Sequence, residues 1–175
     1  VRRPNHITSG CNQTTEPGTT GTASATDNCD GATAISFSDS IAAGSCADQA
    51  VIMRTWTATD ACGNVANDIQ SVTVVDTAAP VITCPVDLTI ACSASSATTG
   101  TGIATATDNC STAPDVNYTD SVAAGSCAPE SVITRTWTAT DACGNFDNCE
   151  QIISIVDTAV PEVTAPDDIL VECDE

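Results

Sequence analysis

Hydrophobic and polar positions alternate along most of this chain. Ile133, Arg135, Trp137 and Ala139 are interleaved with Thr134, Thr136 and Thr138, and valine, isoleucine and threonine dominate the other patterned runs. A period of two sends successive side chains to opposite faces, which marks strands. No segment carries the 3.6-residue period of an amphipathic helix, and turn residues recur about every ten positions. The pattern predicts an all-β sandwich. Within residues 80–160 it predicts strand A over 81–92, interrupted by Pro85 and so suited to an edge. It predicts B over 102–108, C over 115–119, a short E segment ending near Cys127, F over 132–141 and G over 150–156.

The pattern also repeats. Arg54-Thr55-Trp56-Thr57-Ala58-Thr59-Asp60-Ala61-Cys62-Gly63-Asn64 returns unchanged 81 residues later as Arg135 to Asn145. Ala25-Thr26-Asp27-Asn28-Cys29 returns at Ala106 to Cys110, and Val75-Asp76-Thr77-Ala78, closed by Pro80, returns at Val156 to Ala159, closed by Pro161. Such a period implies tandem modules: residues 1–79, residues 80–160, and residues 161–175 as the first strand of a third module or a terminal extension.

Modules of about 80 residues bury a limited core and often need covalent staples. Eleven cysteines answer to that need, and disulfides persist in oxidising compartments, so the chain is expected outside the cell or on its surface. Zinc is the rival use of cysteine, but there is no Cys-x-x-Cys and His6 is the one histidine. The formal charge of −19, from 23 acids against four arginines, is wrong for nucleic acid and for anionic membrane surfaces. No stretch approaches the ~20 apolar residues of a membrane span. There is no phosphate loop, no histidine-paired nucleophile and no lysine base, so no catalytic role is expected.

Cys84-Pro85-Val86-Asp87 near a module start, Thr107-Asp108-Asn109 in mid-module and Ala139-Thr140-Asp141-Ala142-Cys143-Gly144-Asn145 before the last strand resemble the hyalin repeat. The Val-Asp-Thr-x-x-Pro linker and the added cysteines are more specifically similar to HYR-like modules of large bacterial surface adhesins. The resemblance covers nearly the whole chain. It implies tandem immunoglobulin-like β-sandwiches serving in adhesion, with neighbouring modules or copies in a filament as partners.

Comparing the two repeats bears on the cysteines. Cys84 and Cys149 stand where the first repeat has Arg3 and Asp68, while the other four cysteine positions persist. Their joint absence, and the adjacency of strands A and G in such a sandwich, pairs Cys84 with Cys149. For the rest, sandwich topology places Cys110 and Cys143 at the pole where the chain enters the module, and Cys92 and Cys127 at the opposite pole. The expected bonds are therefore Cys110–Cys143 and Cys92–Cys127, with Cys29–Cys62 and Cys11–Cys46 in the first repeat. The alternative is Cys92–Cys110 with Cys127–Cys143, and the ~7 Å reach of a disulfide weighs against it because those residues are separated by the length of a strand. Cys173 aligns with Cys92 and Cys11.

The same topology gathers acids. Asp108 and Asn109 lie on the B–C corner, Asp141 and Asn145 on the F–G corner, and the linker brings Asp76 to both. Carboxylates from three corners repel one another unless a cation intervenes, and such hard oxygen ligands suit Ca²⁺. Asp27 and Asp60 are the equivalent residues of the first repeat, and Asp157 would serve a following one. The plainer reading is that these aspartates only cap turns.

Arg54 and Arg135 each precede a tryptophan by two residues and share its face, so a structural arginine–indole contact is expected. Ser40, Thr77, Ser121 and Thr158 each follow aspartate and precede an apolar residue, similar to acceptor sites of some bacterial O-glycosylation systems. The expected function is a structural and adhesive array stiffened by disulfides and Ca²⁺. The alternative is a Ca²⁺-dependent module binding a surface glycan.

Overall fold

A computed structural model describes residues 1–29 and 33–168. In the first repeat, β1 (Ile7–Gly10), β2 (Ala34–Ala43), β3 (Ala50–Thr59) and β4 (Val65–Val75) form one sheet in the order β1-β4-β3-β2. Strand β1 runs parallel to β4, and the other pairings are antiparallel. In the second repeat, β5 (Val81–Thr83) and β7 (Thr105–Thr107) form a two-stranded ribbon. There β6 (Leu88–Ala91), β8 (Asp115–Ala124), β9 (Ser131–Thr140) and β10 (Phe146–Val156) form the sheet β6-β10-β9-β8, again with one parallel edge. The ribbon packs against β9 and β10. In the first repeat it shrinks to a single bridge, Arg2 to Ser24. The chain is thus all-β with two similar mixed sheets related by the sequence period.

Expected strand A is split in two, because Pro85 cannot donate to a ladder: β5 joins the ribbon and β6 joins the sheet. Strand C is twice its expected length. Asp120 interrupts the apolar alternation there, but it is held by Arg135 across the ladder, so pairing continues to Ala124. No separate E strand exists among the described residues; β8 turns directly into β9. Strand G begins early, at Phe146, through polar residues that pair with β9. Single-turn helices α1 (Pro17–Thr20) and α2 (Thr98–Thr101) precede the ribbon position. Residues 161–168 form no strand, and the remainder of the expected third-module strand, with Cys173, lies outside the described residues.

The core is small and partly polar. Ile52, Trp56, Ala58 and Val72 are buried in the first repeat, and Ile133, Trp137, Ala139 and Ile153 in the second. Arg54 and Arg135 are each 1% exposed, and every guanidinium nitrogen donates a hydrogen bond. Arg135 donates twice to Asp120 (2.7 and 2.8 Å), once to Thr101 Oγ1 (2.8 Å) and once to the Ser96 carbonyl (3.0 Å). Arg54 repeats this with Asp39, Thr20 and Thr15. Each guanidinium lies 5.9 Å from its tryptophan ring and closer, at 4.6 or 4.4 Å, to Phe37 or Tyr118 on the adjacent strand. Gln70 and Gln151, fully buried, accept from the indole N–H and donate to two carbonyls each.

Cys84 and Cys149 are bonded, with Cα atoms 5.9 Å apart. At the matching positions of the first repeat, Arg3 and Asp68 make an ion pair at 3.3 Å, about a third exposed on each side. An exposed pair contributes about 0–1 kcal/mol, whereas a loop of this length closed by a disulfide contributes several-fold more. The double substitution Arg3→Cys with Asp68→Cys is therefore expected to bridge when oxidised by a small disulfide such as oxidised glutathione and to stabilise the first repeat by ~2 kcal/mol, read as a higher denaturation midpoint than that of the oxidised parent.

Candidate metal centre

The centre lies where the first repeat meets the second, and each acid is set there by its own turn. After β9, Gly144 adopts φ 88°, a left-handed conformation that favours glycine. Its N–H reaches the Asp141 carbonyl, while the Asp141 N–H reaches the Asn145 carbonyl. The closed turn directs the Cys143 and Asn145 amides to Asp141 Oδ1 at 2.8 and 2.9 Å, and Asn145 Nδ2 donates to Oδ2 at 2.8 Å. After β7, Asp108 Oδ1 accepts from the Cys110 and Ser111 amides at 2.9 and 2.7 Å. In the linker after β4, Asp76 Oδ1 accepts from the Ala78 amide at 3.1 Å. The turn-capping reading therefore holds for one oxygen of Asp76 and of Asp108, and for both oxygens of Asp141.

The second oxygens carry more information. Oδ2 of Asp76 and Oδ2 of Asp108 are buried and accept no hydrogen bond. Asp76, Asp108 and Asp141 each bring a carboxylate oxygen within 4.8 Å of the others. Asp76 is 3% exposed and Asp141 6%. At that spacing each pair of charges repels by ~3 kcal/mol at the effective dielectric of a protein. Burial, with Asp108, Asp141 and Asp48 nearby, raises the Asp76 pKa against the pull of the Ala78 amide. For Asp141 burial acts upward too, but hydrogen bonds from Asn145, Cys143 and Gly144 outweigh it and lower its pKa. A buried acid made costlier by its neighbours, with its second oxygen unpaired, suits a bound cation.

Asp48 belongs to this centre and escaped the sequence reading. It sits in the turn between β2 and β3, its Oδ2 is buried without a partner, and it groups with Asp76 and Cys143. The repeat comparison hid it, because Pro129 occupies the equivalent position. Cys11, Asp76 and Cys110 also cluster, but the sulfurs of Cys11 and Cys110, like that of Cys143, are already joined in disulfides and lack the thiolate charge a metal needs. Asp76 thus meets carboxylates from three other segments, Asp108 and Asp141 in one cluster and Asp48 in a second. Asn145 Nδ2 adds a contact to the Asp76 carbonyl at 3.4 Å. Asn109 is exposed and faces the sulfurs of Cys110 and Cys11 at 2.7 and 3.5 Å.

The expected pairings of four cysteines are corrected here. Cys11 bonds Cys110 and Cys46 bonds Cys143, with Cα separations of 5.9 and 5.0 Å. Both bonds cross the junction, replacing the expected Cys11–Cys46 and Cys110–Cys143. The assignment of cysteines to poles was sound, but cysteines of one pole face the adjoining repeat and not each other. Expected bonds Cys29–Cys62 and Cys92–Cys127 are likewise not formed; all four thiols are free and exposed. Multiple disulfides match oxidising surroundings, and no helix among the described residues is long and apolar enough to cross a membrane.

The outer poles carry the remaining expected residues. Asp27 and Asp60 line a concavity with Thr26, Asn64 and Val1. Hydrogen bonds from the Asn64 side chain and amide lower the Asp60 pKa. Asp157, the counterpart of Asp76, accepts from Ala159 at 3.0 Å but is exposed. Ser40, Thr77, Ser121 and Thr158 are all exposed, while Asp39 and Asp120 beside two of them already bind the buried arginines. Comparison of the sequence with protein-family models and with curated proteins returns no match.

Proposed function

We propose that the chain is a length of an extracellular structural array, built from HYR-like, immunoglobulin-like sandwiches of a bacterial surface adhesin or filament, with Ca²⁺ fixing the joint between repeats. One observation carries this reading: buried Asp76, whose Oδ2 is unpaired as are those of Asp48 and Asp108, brings a carboxylate oxygen close to Asp108 and Asp141 in one cluster and to Asp48 in another, between two repeats already joined by two disulfides. Ca²⁺ accepts six to eight oxygen ligands in flexible geometry, whereas Mg²⁺ needs near-ideal octahedra. The donors are irregular in origin and rich in carboxylate, which favours Ca²⁺. The glycan-binding alternative needs coordination positions open to solvent, and the burial of Asp76 and Asp141 argues for a spacer instead.

Calorimetric calcium titration of the oxidised chain tests this. One saturable site is expected, abolished by Asp76→Asn and retained in Asp157→Asn. No heat of binding, or equal loss in both variants, overturns the reading. Simple sugars that compete for the bound ion would support the glycan alternative.

A further inference from the structure

Each cysteine of the two cross-repeat bonds holds a segment that carries one of the acids. The Cys11 N–H donates to the carbonyl of Val75, the residue before Asp76, at 3.0 Å. The Cys110 amide donates to Asp108 Oδ1 at 2.9 Å, and the Cys143 amide to Asp141 Oδ1 at 2.8 Å. The Cys46 carbonyl accepts from the Gln49 amide at 3.1 Å, closing the turn that carries Asp48. The Cys11–Cys110 bond therefore ties the Asp76 linker to the Asp108 turn, and Cys46–Cys143 ties the Asp48 turn to the Asp141 turn. The sulfurs are close as well: those of Cys11 and Cys110 lie within 4.8 Å of an Asp76 oxygen, and that of Cys143 within 4.8 Å of oxygens of Asp48 and Asp76. Cys84–Cys149 joins two positions of the second repeat outside these clusters.

We propose that the joint is a redox-controlled cation site, in which the two cross-repeat disulfides set the affinity for calcium: tight with both bonds closed, weak with either open. This rests on the calcium reading and adds its regulation. Asp76 is 3% exposed with Oδ2 unpaired, and its acidic neighbours come from three other segments. Without an ion, like charges push those segments apart. The two covalent ties oppose that separation and supply in advance the ordering that the ion would otherwise have to impose. Linkage makes the effect reciprocal: the factor by which the bonds raise calcium affinity is the factor by which calcium favours the bonds. The joint therefore stays loose in reducing surroundings and locks in oxidising ones that contain calcium.

Opening a bond consumes two small thiols such as reduced glutathione. The Cys11–Cys110 bond borders a concavity of about 320 Å³, lined also by Asp48, Gln49 and Asn109, through which such a thiol reaches it. The first thiolate attacks one cysteine sulfur and frees the other cysteine. The second attacks the mixed disulfide, and one oxidised glutathione leaves. The cysteine sulfurs gain two electrons and the two glutathione protons, and two glutathione sulfurs are oxidised to one disulfide.

The test equilibrates the full chain in glutathione buffers of graded oxidised-to-reduced ratio, with calcium or with chelator. Acid quenching, alkylation and peptide mapping then read each bond separately. Calcium is expected to raise the equilibrium constants for closing Cys11–Cys110 and Cys46–Cys143 about tenfold each, and to change that of Cys84–Cys149 by less than about twofold. Asp76→Asn should abolish the shift. Calorimetry on Cys46→Ser with Cys143→Ser should find calcium bound about tenfold more weakly than by the oxidised parent. If that variant does not fold, the glutathione titration, which leaves both cysteines in place, still decides. An equal shift at Cys84–Cys149 would mean that calcium only stabilises the fold, and overturns the proposal. Calcium binding to the oxidised parent with no shift at either cross-repeat bond also overturns it, and leaves the calcium joint standing. No calcium binding by the oxidised parent defeats both readings.

Discussion

Replacing Arg135 with leucine is expected to cost the second repeat ~3–5 kcal/mol, the range for breaking a buried ion pair by removing one partner. The guanidinium is 1% exposed and ties together Asp120 on β8, Thr101 at the end of α2 and the Ser96 carbonyl. Leucine fills part of the volume but leaves these acceptors without a donor. It also removes the cation stacked 4.4 Å from Tyr118. Domain stabilities of 5–15 kcal/mol leave little margin for such a loss. Urea unfolding of Arg135→Leu beside Thr136→Ala, whose side chain points to the outer face, separates causes: the second change should stay within ~0.5 kcal/mol. A loss below ~1 kcal/mol for Arg135→Leu would remove the buried arginine from the account of stability.

Saturating calcium is expected to stabilise the oxidised chain by ~4 kcal/mol when its concentration exceeds the dissociation constant a thousandfold. Asp76→Asn should lose most of that gain, yet be no less stable than the parent in chelator, because it removes one member of a repelling set. The pH dependence has a definite sign. The Asp76 pKa is raised by burial and neighbouring acids. Without cation, its contribution is therefore fully present below the ordinary carboxylate value and is lost as pH rises through the elevated one. Asp120 is opposite: the hydrogen bonds and charge of Arg135 lower its pKa. Its contribution holds above the ordinary value and is lost as pH falls through the lowered one. In chelator, stability should thus rise on mild acidification from neutral and fall in stronger acid; calcium should flatten the first limb. Unchanged melting with calcium, or no difference between Asp76→Asn and parent, would count against the ion.

The β architecture was legible because alternation on β9 and the 81-residue period are strong local signals. The convergence of Asp76, Asp108 and Asp141 was legible for a topological reason: strands running toward one pole deliver their end turns to the same place. Cys84–Cys149 was legible because substitution of both partners together leaves a trace, here the Arg3–Asp68 ion pair. The cross-repeat disulfides were not, since each repeat was treated as a closed unit whose cysteines satisfy one another. Asp48 was hidden by the same comparison that revealed the other acids. The Arg135–Asp120 clamp was missed because a charged residue inside an alternating strand looks like its end.

The account turns on whether the two repeats are bonded to each other. Peptide mapping of the fully oxidised chain under non-reducing conditions, at acid pH to prevent exchange, decides it. Cys11–Cys110 and Cys46–Cys143 peptides are expected. Recovery of Cys11–Cys46 and Cys110–Cys143 would mean that each repeat closes on itself, and would contradict the joint.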